Sequence, residues 1–123
     1  MENARVVVIE DDEIVRKVLV RRLEAYGHSV LHQAITIEEA RELIADLHPD
    51  DRIDVVITDA NLARNRRDNA DGAEIVRLTR EKLPDTAIYE FSGSGSLKGT
   101  TASFRKPDLQ GLLAAIKNLP ERV

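Results

Sequence analysis

The sequence predicts an α/β fold in which helices cover both faces of a doubly wound, five-stranded parallel sheet. Short apolar runs rich in Val and Ile alternate with segments whose apolar residues recur at helical spacing. Turn signals such as Gly, Pro and Asp separate these segments. Strands that alternate with helices are joined by right-handed crossovers and pair in parallel. The predicted strands are residues 6–9, 29–33, 53–58, 87–91 and 102–105.

The first predicted strand and helix have clear boundaries. Residues 6–9 are consecutive β-branched residues, which is typical of a strand buried on both faces. Asp11 or Asp12 can cap the following helix, where acidic residues also favour the positive end of the helix dipole. Gly27 is suited to end this helix because glycine readily adopts the left-handed conformation found there.

The next elements follow the same alternation. Residues 29–33 are short and mixed in polarity, and they predict an outer strand. Thr36 and Glu39 match a capping box at the start of the second helix. Pro49 disfavours a helical residue before it and so marks the end of that helix.

The second half of the chain adds two helices. Asp71 and Gly72 start a third helix, which stops at Pro84. A Gly/Ser-rich stretch then separates the fourth and fifth predicted strands and predicts a loop. Asp108 can cap the final helix.

Composition narrows the class of protein. At 123 residues the sequence predicts a single domain over residues 1–123. The net charge of −4 argues against direct binding of nucleic acid. The absence of cysteine excludes disulfides, thiolate nucleophiles and Cys-metal sites. The first apolar run is too short for a signal peptide or a membrane span, so we expect a cytoplasmic protein without membrane contact.

The stretch from Ile53 to Asp59 organises the rest of the chain. An apolar run stops abruptly at the carboxylate of Asp59, and a polar segment follows. In an open parallel sheet, ligands bind in the crevice outside the carboxyl ends of the strands. Asp59 is therefore expected in that crevice, although an Asp that simply opens a surface turn would give the same local pattern.

Other strand ends bring further polar residues to the same edge. Glu10 and Asp11 follow the first strand, Ser92 follows the fourth and Lys106 follows the fifth. Each residue alone has an ordinary structural explanation, but their joint placement does not. Clustered carboxylates attract a hard cation such as Mg²⁺, which takes oxygen ligands. A lysine and a hydroxyl opposite a carboxylate nucleophile suit phosphoryl transfer.

These motifs together resemble the receiver domain of two-component response regulators. The resemblance spans essentially the whole chain. It rests on Val-Val-Val-Ile-Glu-Asp-Asp-Glu at residues 6–13 with Arg16 beyond, Asp-Val-Val-Ile-Thr-Asp-Ala-Asn-Leu at 54–62, Asp71-Gly72, Phe-Ser-Gly at 91–93 and Lys106-Pro107.

The resemblance implies roles for the acidic residues. Asp59 would be the phosphoacceptor and a metal ligand. Asp11 would bind Mg²⁺ directly, Glu10 would assist through water, and Asn61 would supply its backbone carbonyl.

The resemblance also implies the roles of the remaining site residues and the order of the strands. Ser92 would contact the phosphoryl group and switch on phosphorylation, Lys106 would pair with that group, and Pro107 would follow a cis peptide bond. The strand order would be the flavodoxin-like 2-1-3-4-5. The donor would be a phosphohistidine on a sensor histidine kinase or a histidine phosphotransfer protein, and a homodimer is compatible with the family. The domain would be a phosphoacceptor that assists its own phosphorylation and dephosphorylation, not a turnover enzyme.

The loop after Asp59 departs from the family. Ala63 stands where the family usually has proline. The loop over residues 60–70 is also longer and carries Arg64, Arg66 and Arg67. We expect this loop to be mobile and positively charged. It would serve either as a neutral insertion or as a contact for a partner beside the phosphate.

The region around the last two strands departs as well. Residues 93–101 are too few and too rich in Gly and Ser for the helix that the family places there. Ser103 occupies the position of the family's aromatic switch residue, with Phe104 beside it. Without a covering helix, Glu90 and Arg105 are expected on one partly solvated face, near each other or near water. That face would be an unusual partner or dimer surface, or no output surface at all.

Two alternative functions lack their sequence motifs in this chain, and a third stays open. A haloacid-dehalogenase-type phosphatase needs Asp-x-Asp after the first strand, and this chain has Glu-Asp-Asp. A nucleotide-binding domain needs a Gly-rich turn there, which is absent. The remaining alternative is an interaction or scaffold module that signals without phosphorylation, and labelling with a small phosphodonor distinguishes it from a phosphoacceptor.

Overall fold

The sheet has five strands that all pair in parallel. The computed structural model of the chain describes residues 1–63, 68–93 and 97–121. The strands are β1 (Arg5–Ile9), β2 (Ser29–Ala34), β3 (Val55–Thr58), β4 (Ala87–Ser92) and β5 (Ala102–Arg105). Their order across the sheet is β2-β1-β3-β4-β5. The predicted fold class and strand order are confirmed.

Helices cover both faces of this sheet. They are α1 (Glu13–Ala25), α2 (Ile37–Asp46), α3 (Ala70–Lys82) and α4 (Leu109–Lys117), with a short 3-10 turn at Pro49–Asp51. One core lies between the sheet and the pair α1 and α4, where Val8, Leu23 and Leu112 are buried. A second core lies under α2 and α3, where Ile9 and Ile75 are buried. The central strands therefore have two apolar faces, as their continuous β-branched sequence predicts.

Side-chain caps begin three of the four helices. Asp12 accepts a hydrogen bond from the Val15 amide at the start of α1, at 3.0 Å. Thr36 accepts from the Glu39 amide, at 3.1 Å, and Asp108 accepts from the Gly111 amide, at 3.0 Å. The exception is α3, which begins at Ala70, one residue before the predicted start, after Asn69 in a left-handed conformation with φ of 59°.

Between β4 and β5, the described residues, 93 and 97–101, contain no helix. Leu97 instead occupies the space beside the sheet, in a buried cluster with Ala60, Val76 and Ile88. The Arg80 side chain of α3 fastens this segment by donating to the Gly99 carbonyl at 3.4 Å and to the Thr101 hydroxyl at 3.3 Å. Leu97 and the loop that carries it thus cover the part of the sheet where the family would have a helix.

The expected solvation of Glu90 is wrong. The register pairs Glu90 with Ser103 and Ser92 with Arg105, so the predicted common face for Glu90 and Arg105 agrees with the strand pairing. Arg105 is exposed, but Glu90 is 0% exposed. The cause is the loop that carries Leu97, which covers Glu90, and the Leu97 backbone amide donates to the carboxylate at 2.8 Å.

Phe104 does not take the place of the missing aromatic switch residue. Its ring packs edge-on against Tyr89, with 5.7 Å between ring centroids, and joins the core under α1 and α4. Ser103 points to the opposite face, where its hydroxyl donates to Glu90 at 2.8 Å.

Within residues 1–63, 68–93 and 97–121, no helix is long and apolar enough to cross a bilayer.

Candidate functional site

The carboxyl edge of the sheet positions the predicted site residues. Backbone hydrogen bonds continue the strand pairing one residue past the strand ends. The Glu10 amide donates to Ala34, the Asp59 amide donates to Ile9 and the Lys106 amide donates to Ser92, at 3.0, 3.1 and 2.8 Å. The site residues are therefore held by the sheet rather than by flexible loops, which restricts their relative positions.

Lys106 joins two carboxylates at the centre of this edge. Its Nζ lies 2.7 Å from Oε1 of Glu10 and 2.9 Å from Oδ2 of Asp59. Glu10 is only 2% exposed, whereas the Asp59 side chain keeps 12% of its surface open. The other oxygen of Asp59, Oδ1, accepts the Ala60 amide at 2.7 Å. Asp59 is thus oriented on both sides while it still faces the pocket.

Burial and hydrogen bonding shift the pKa values of Glu10 and Lys106. Burial raises the pKa of Glu10 to about 8, and the nearby Asp59 charge adds to this, whereas hydrogen bonding to Lys106 opposes it. Burial alone would lower the pKa of Lys106, but hydrogen bonds and attraction to Glu10 and Asp59 outweigh it and leave the pKa raised. Lys106 is consequently a firmly held cation beside the open carboxylate.

The carboxylates can also hold a metal ion. Glu10, Asp11 and Asp59 each offer an oxygen, and these oxygens lie within 4.8 Å of one another. An all-oxygen donor set suits a hard cation such as Mg²⁺. Asp11 and Asp59 face an open pocket of about 490 Å³, which is lined by Asp11, Asp12, Glu13, Ile14, Asp59, Asn61, Ala63 and Lys106. The predicted metal residues are thus brought together, and Asn61 lies at the same pocket.

Asn61 and Asn69 hold the two ends of the loop after Asp59 together. The Asn61 amide group donates to the Asn69 side chain, and the Asn69 backbone amide donates back to the Asn61 side chain, both at 2.9 Å. Asp71 adds a buried contact by accepting the Leu62 amide at 3.1 Å. The expected mobility and charge of the loop depend on Arg64, Arg66 and Arg67, and these arginines lie outside the described residues.

Ser92 has a partner that the sequence analysis missed. Its hydroxyl donates to Oε2 of Glu90 at 2.5 Å. The predicted set of site residues does not include Glu90. The available signal is a charged residue inside an otherwise apolar strand, which by itself predicts partial solvation.

Lys106 and Pro107 are joined by a cis peptide bond, as the resemblance implies. Beside them lies an apolar groove lined by Val15, Val18, Phe91 and Leu109 together with Ile14, Lys106 and Pro107. Ile14 lines both this groove and the acidic pocket. An apolar surface therefore adjoins the pocket that Asp59 lines.

Solved receiver structures share this fold. The receiver domain of the hybrid histidine kinase CckA is 28% identical, has a TM-score of 0.74, and the match covers 93% of this chain and 96% of that one. CheY from Borrelia burgdorferi, solved with CheX, BeF3 and Mg²⁺, is 20% identical with a TM-score of 0.76, over 92% and 86% of the two chains.

A third similar structure is CheY6 from R. sphaeroides in complex with the phosphorylated P1 domain of CheA3. It is 15% identical with a TM-score of 0.70, and the match covers 94% of this chain and 95% of that one. No curated protein sequence matches this chain at a significant level.

The match of sequence to family agrees with the fold and with the residues at the sheet edge. The sequence pattern described as "Response regulator receiver domain" matches residues 6–114. That range begins in β1, ends within α4 and contains each of the predicted site residues. The chain therefore belongs to the response regulator receiver domain family of two-component systems.

Proposed function

We propose that this receiver domain accepts a phosphoryl group on Asp59 from a phosphohistidine. The donor would be a sensor histidine kinase or a histidine phosphotransfer protein, and the reaction would require Mg²⁺. The observation that carries the proposal is the contact of Lys106 with Asp59, 2.9 Å apart, at the mouth of an oxygen-lined pocket. A cation beside an accessible carboxylate can neutralise the charge that an incoming phosphoryl group brings.

The proposed reaction is a simple displacement. A carboxylate oxygen of Asp59 attacks the phosphorus, an acyl phosphate bond forms, and the P–N bond to histidine breaks. The leaving imidazole takes up a proton. The domain is then a stoichiometric acceptor that assists its own phosphorylation and dephosphorylation, rather than a turnover enzyme.

The chain's own residues have separate tasks in this scheme. The Ala60 amide holds Oδ1 of Asp59, while Lys106 is placed to leave Oδ2 and follow a phosphoryl oxygen. Glu10, Asp11, Asp59 and the Asn61 carbonyl would hold Mg²⁺. The metal would supply further neutralisation of phosphoryl charge.

The partner would dock on the apolar groove beside the pocket. Ile14 is 75% exposed and Val18 is 45% exposed, both on the face of α1 that lines the groove. Large exposed apolar side chains next to a polar site are typical of a protein contact. A phosphotransfer partner bound there would bring its phosphohistidine to Asp59, in a cytoplasmic setting.

Intact-mass measurement tests the proposal. The chain is incubated with acetyl phosphate and Mg²⁺, and one phosphoryl group should add to the wild type but not to Asp59→Asn. Asp54→Asn is the matched control, because Asp54 is buried at the opposite end of β3 and should leave labelling intact. An unlabelled wild type would favour the alternative, an interaction module that signals without phosphorylation.

A further inference from the structure

Glu90 joins three parts of the fold through one buried carboxylate. Its Oε2 accepts the Ser92 hydroxyl at 2.5 Å, at the end of β4. Its Oε1 accepts the Leu97 amide and the Ser103 hydroxyl, both at 2.8 Å. These donors offset the cost of burying the carboxylate, which is 0% exposed. One side chain therefore connects β4, the following loop and β5.

Ser92 can give its hydroxyl proton to only one acceptor at a time. A serine hydroxyl has a single proton, and here it is donated to Glu90. A carboxylate and a phosphoryl oxygen are both strong, charged acceptors. If Ser92 serves the phosphoryl group, its proton must leave Glu90. Glu90 and phosphorylated Asp59 thus compete for the same proton.

We propose that Glu90 is a positioning residue which holds Ser92 in the unphosphorylated domain and transmits its release to residues 97–101. This inference rests on the proposed phosphorylation of Asp59. When Ser92 turns to the phosphoryl group, Glu90 loses one of its donors and rearranges against Leu97 and Ser103. The loop and β5 then respond to a change that began at the end of β4.

The contacts of Leu97 connect this rearrangement of Glu90 to the protein surface. The Leu97 side chain packs with Ala60, whose amide is bonded to Asp59. Beyond Leu97, the Thr100 hydroxyl lies 3.3 Å from the Ser103 hydroxyl at the protein surface. Asp59 is therefore connected to the loop through Ala60. Once Ser92 contacts the phosphoryl group, Ser92 and Glu90 would supply a second connection to the same loop.

This arrangement replaces the function of an aromatic switch residue. Ser103 stands three positions before Lys106, and its hydroxyl is bonded to Glu90. A polar network with two hydrogen-bonding states can carry a two-state signal as well as a moving ring can, provided that phosphorylation favours one state. The readout surface of this domain would then be residues 97–101 with the outer side of β5.

Two substitutions should shift labelling in opposite directions. Glu90→Gln keeps the shape but can present an NH₂ group to Ser92, which frees the hydroxyl proton for the phosphoryl group. With acetyl phosphate and Mg²⁺, its phosphorylated fraction at limiting donor should rise by up to roughly tenfold, as expected for one charge-assisted hydrogen bond. Ser103→Ala removes a donor from Glu90, strengthens the hold on Ser92 and should lower that fraction.

The matched control is Glu74→Gln, the same chemical change at a partly exposed glutamate of α3. Glu74 is paired with Arg41 there, and its substitution should leave the labelled fraction unchanged. The second readout is the backbone amide of Leu97, followed by NMR hydrogen exchange before and after labelling. In the wild type its protection should fall on phosphorylation, and in Ser92→Ala it should not change although Asp59 is labelled.

The possible outcomes distinguish a failure of this inference from a failure of the proposed function. Failure of the wild type to take up label would overturn the proposed function and this inference with it. Normal labelling of the wild type with no response of the Leu97 amide would overturn this inference alone. Equal labelling of wild type, Glu90→Gln and Ser103→Ala would do the same. If Glu90→Gln does not fold, Ser103→Ala and the Leu97 amide decide the question.

Discussion

Gly72 lies so close to Leu97 that the two positions restrict each other. A Cβ added at Gly72 would stand 2.7 Å from Cδ1 of Leu97 and 2.8 Å from the Cα of Ala60. The Gly72 amide also donates to the Ala60 carbonyl at 2.9 Å. The first turn of α3, the segment after Asp59 and Leu97 of the β4–β5 loop therefore meet at one glycine.

Gly72→Ala is expected to destabilise the domain. The added methyl group cannot be accommodated by moving Leu97 alone, because backbone atoms of Ala60 are equally close. The free energy of unfolding in urea should fall by about 1–3 kcal/mol, as for other overpacked cores. Gly93→Ala is the control, since an added Cβ there meets nothing within 4 Å. Equal stability of the two variants would contradict this packing.

The pH dependence of the free energy of unfolding should reveal the raised pKa of Glu10. Its pKa is raised from 4.5 to about 8 in the folded state, mainly by burial. The folded state therefore keeps a proton that the unfolded chain loses, and the resulting stabilisation is present below about pH 4.5 and is lost as the pH rises through about 8. Without metal, the stability of the wild type relative to Glu10→Gln should decline across this window. Parallel pH profiles for the two proteins would argue against a buried, protonated Glu10.

Mg²⁺ should stabilise the fold. The ion offsets the negative charge of Asp11 and Asp59 and can replace the proton that Glu10 holds in the metal-free domain, and it binds the folded state alone. Free Mg²⁺ at about ten times its Kd would add about 1.4 kcal/mol, which corresponds to a few degrees in Tm. Asp11→Ala should remove most of this rise, whereas Asp46→Ala, at the exposed end of α2, should retain it. A Tm that does not respond to millimolar Mg²⁺ in the wild type would exclude the metal site.

Ile14→Glu should slow phosphotransfer from a docked partner protein without slowing labelling by a small phosphodonor. A charge in the groove opposes an apolar contact, so transfer from a phosphorylated histidine phosphotransfer protein should slow by roughly tenfold or more. Labelling by acetyl phosphate should remain close to the wild-type rate. Ile35→Glu introduces the same charge at another exposed isoleucine, which is 40% exposed, and should not slow the transfer. Slowing of both reactions by Ile14→Glu would mean that the change damages the pocket rather than the docking surface.

Reversal of charge at Arg66 and Arg67 tests the loop after Asp59. If these arginines steer an acidic partner, double substitution to Glu should slow transfer from the cognate donor, most strongly at low salt. Labelling by the small donor should change little. Transfer rates that are independent of these charges at all salt concentrations would identify the loop as a neutral insertion.

Local patterns were sufficient for the fold and for most of the site. Consecutive β-branched residues identified the buried strands, and the caps at Asp12, Thr36 and Asp108 marked helix starts within a residue. Site residues at the ends of parallel strands converge because the sheet aligns those ends. That rule alone predicted that Glu10, Asp59 and Lys106 would meet, and the ion pairs at Lys106 agree with it.

Tertiary structure decided what happens to Glu90. From the sequence, a glutamate in the fourth strand, with no helix to cover its face, predicts a partly solvated face. In the fold, the Leu97 amide in the following loop and the Ser103 hydroxyl in β5 supply donors that allow its burial. Whether a charged residue is solvated depends on such nonlocal partners, and no local periodicity records them.

The sequence by itself therefore determined the order of elements, the parallel sheet and the acidic edge with Lys106, because each follows from local periodicity and from strand direction. Only the tertiary structure decided that Leu97 would fill the place of a helix and that Ser92 would be held by Glu90. Those outcomes depend on the space left between packed elements and on the donors that reach a buried carboxylate. No local sequence pattern records either outcome, because Leu97 packs against residues from three other parts of the chain and one donor to Glu90 comes from the next strand.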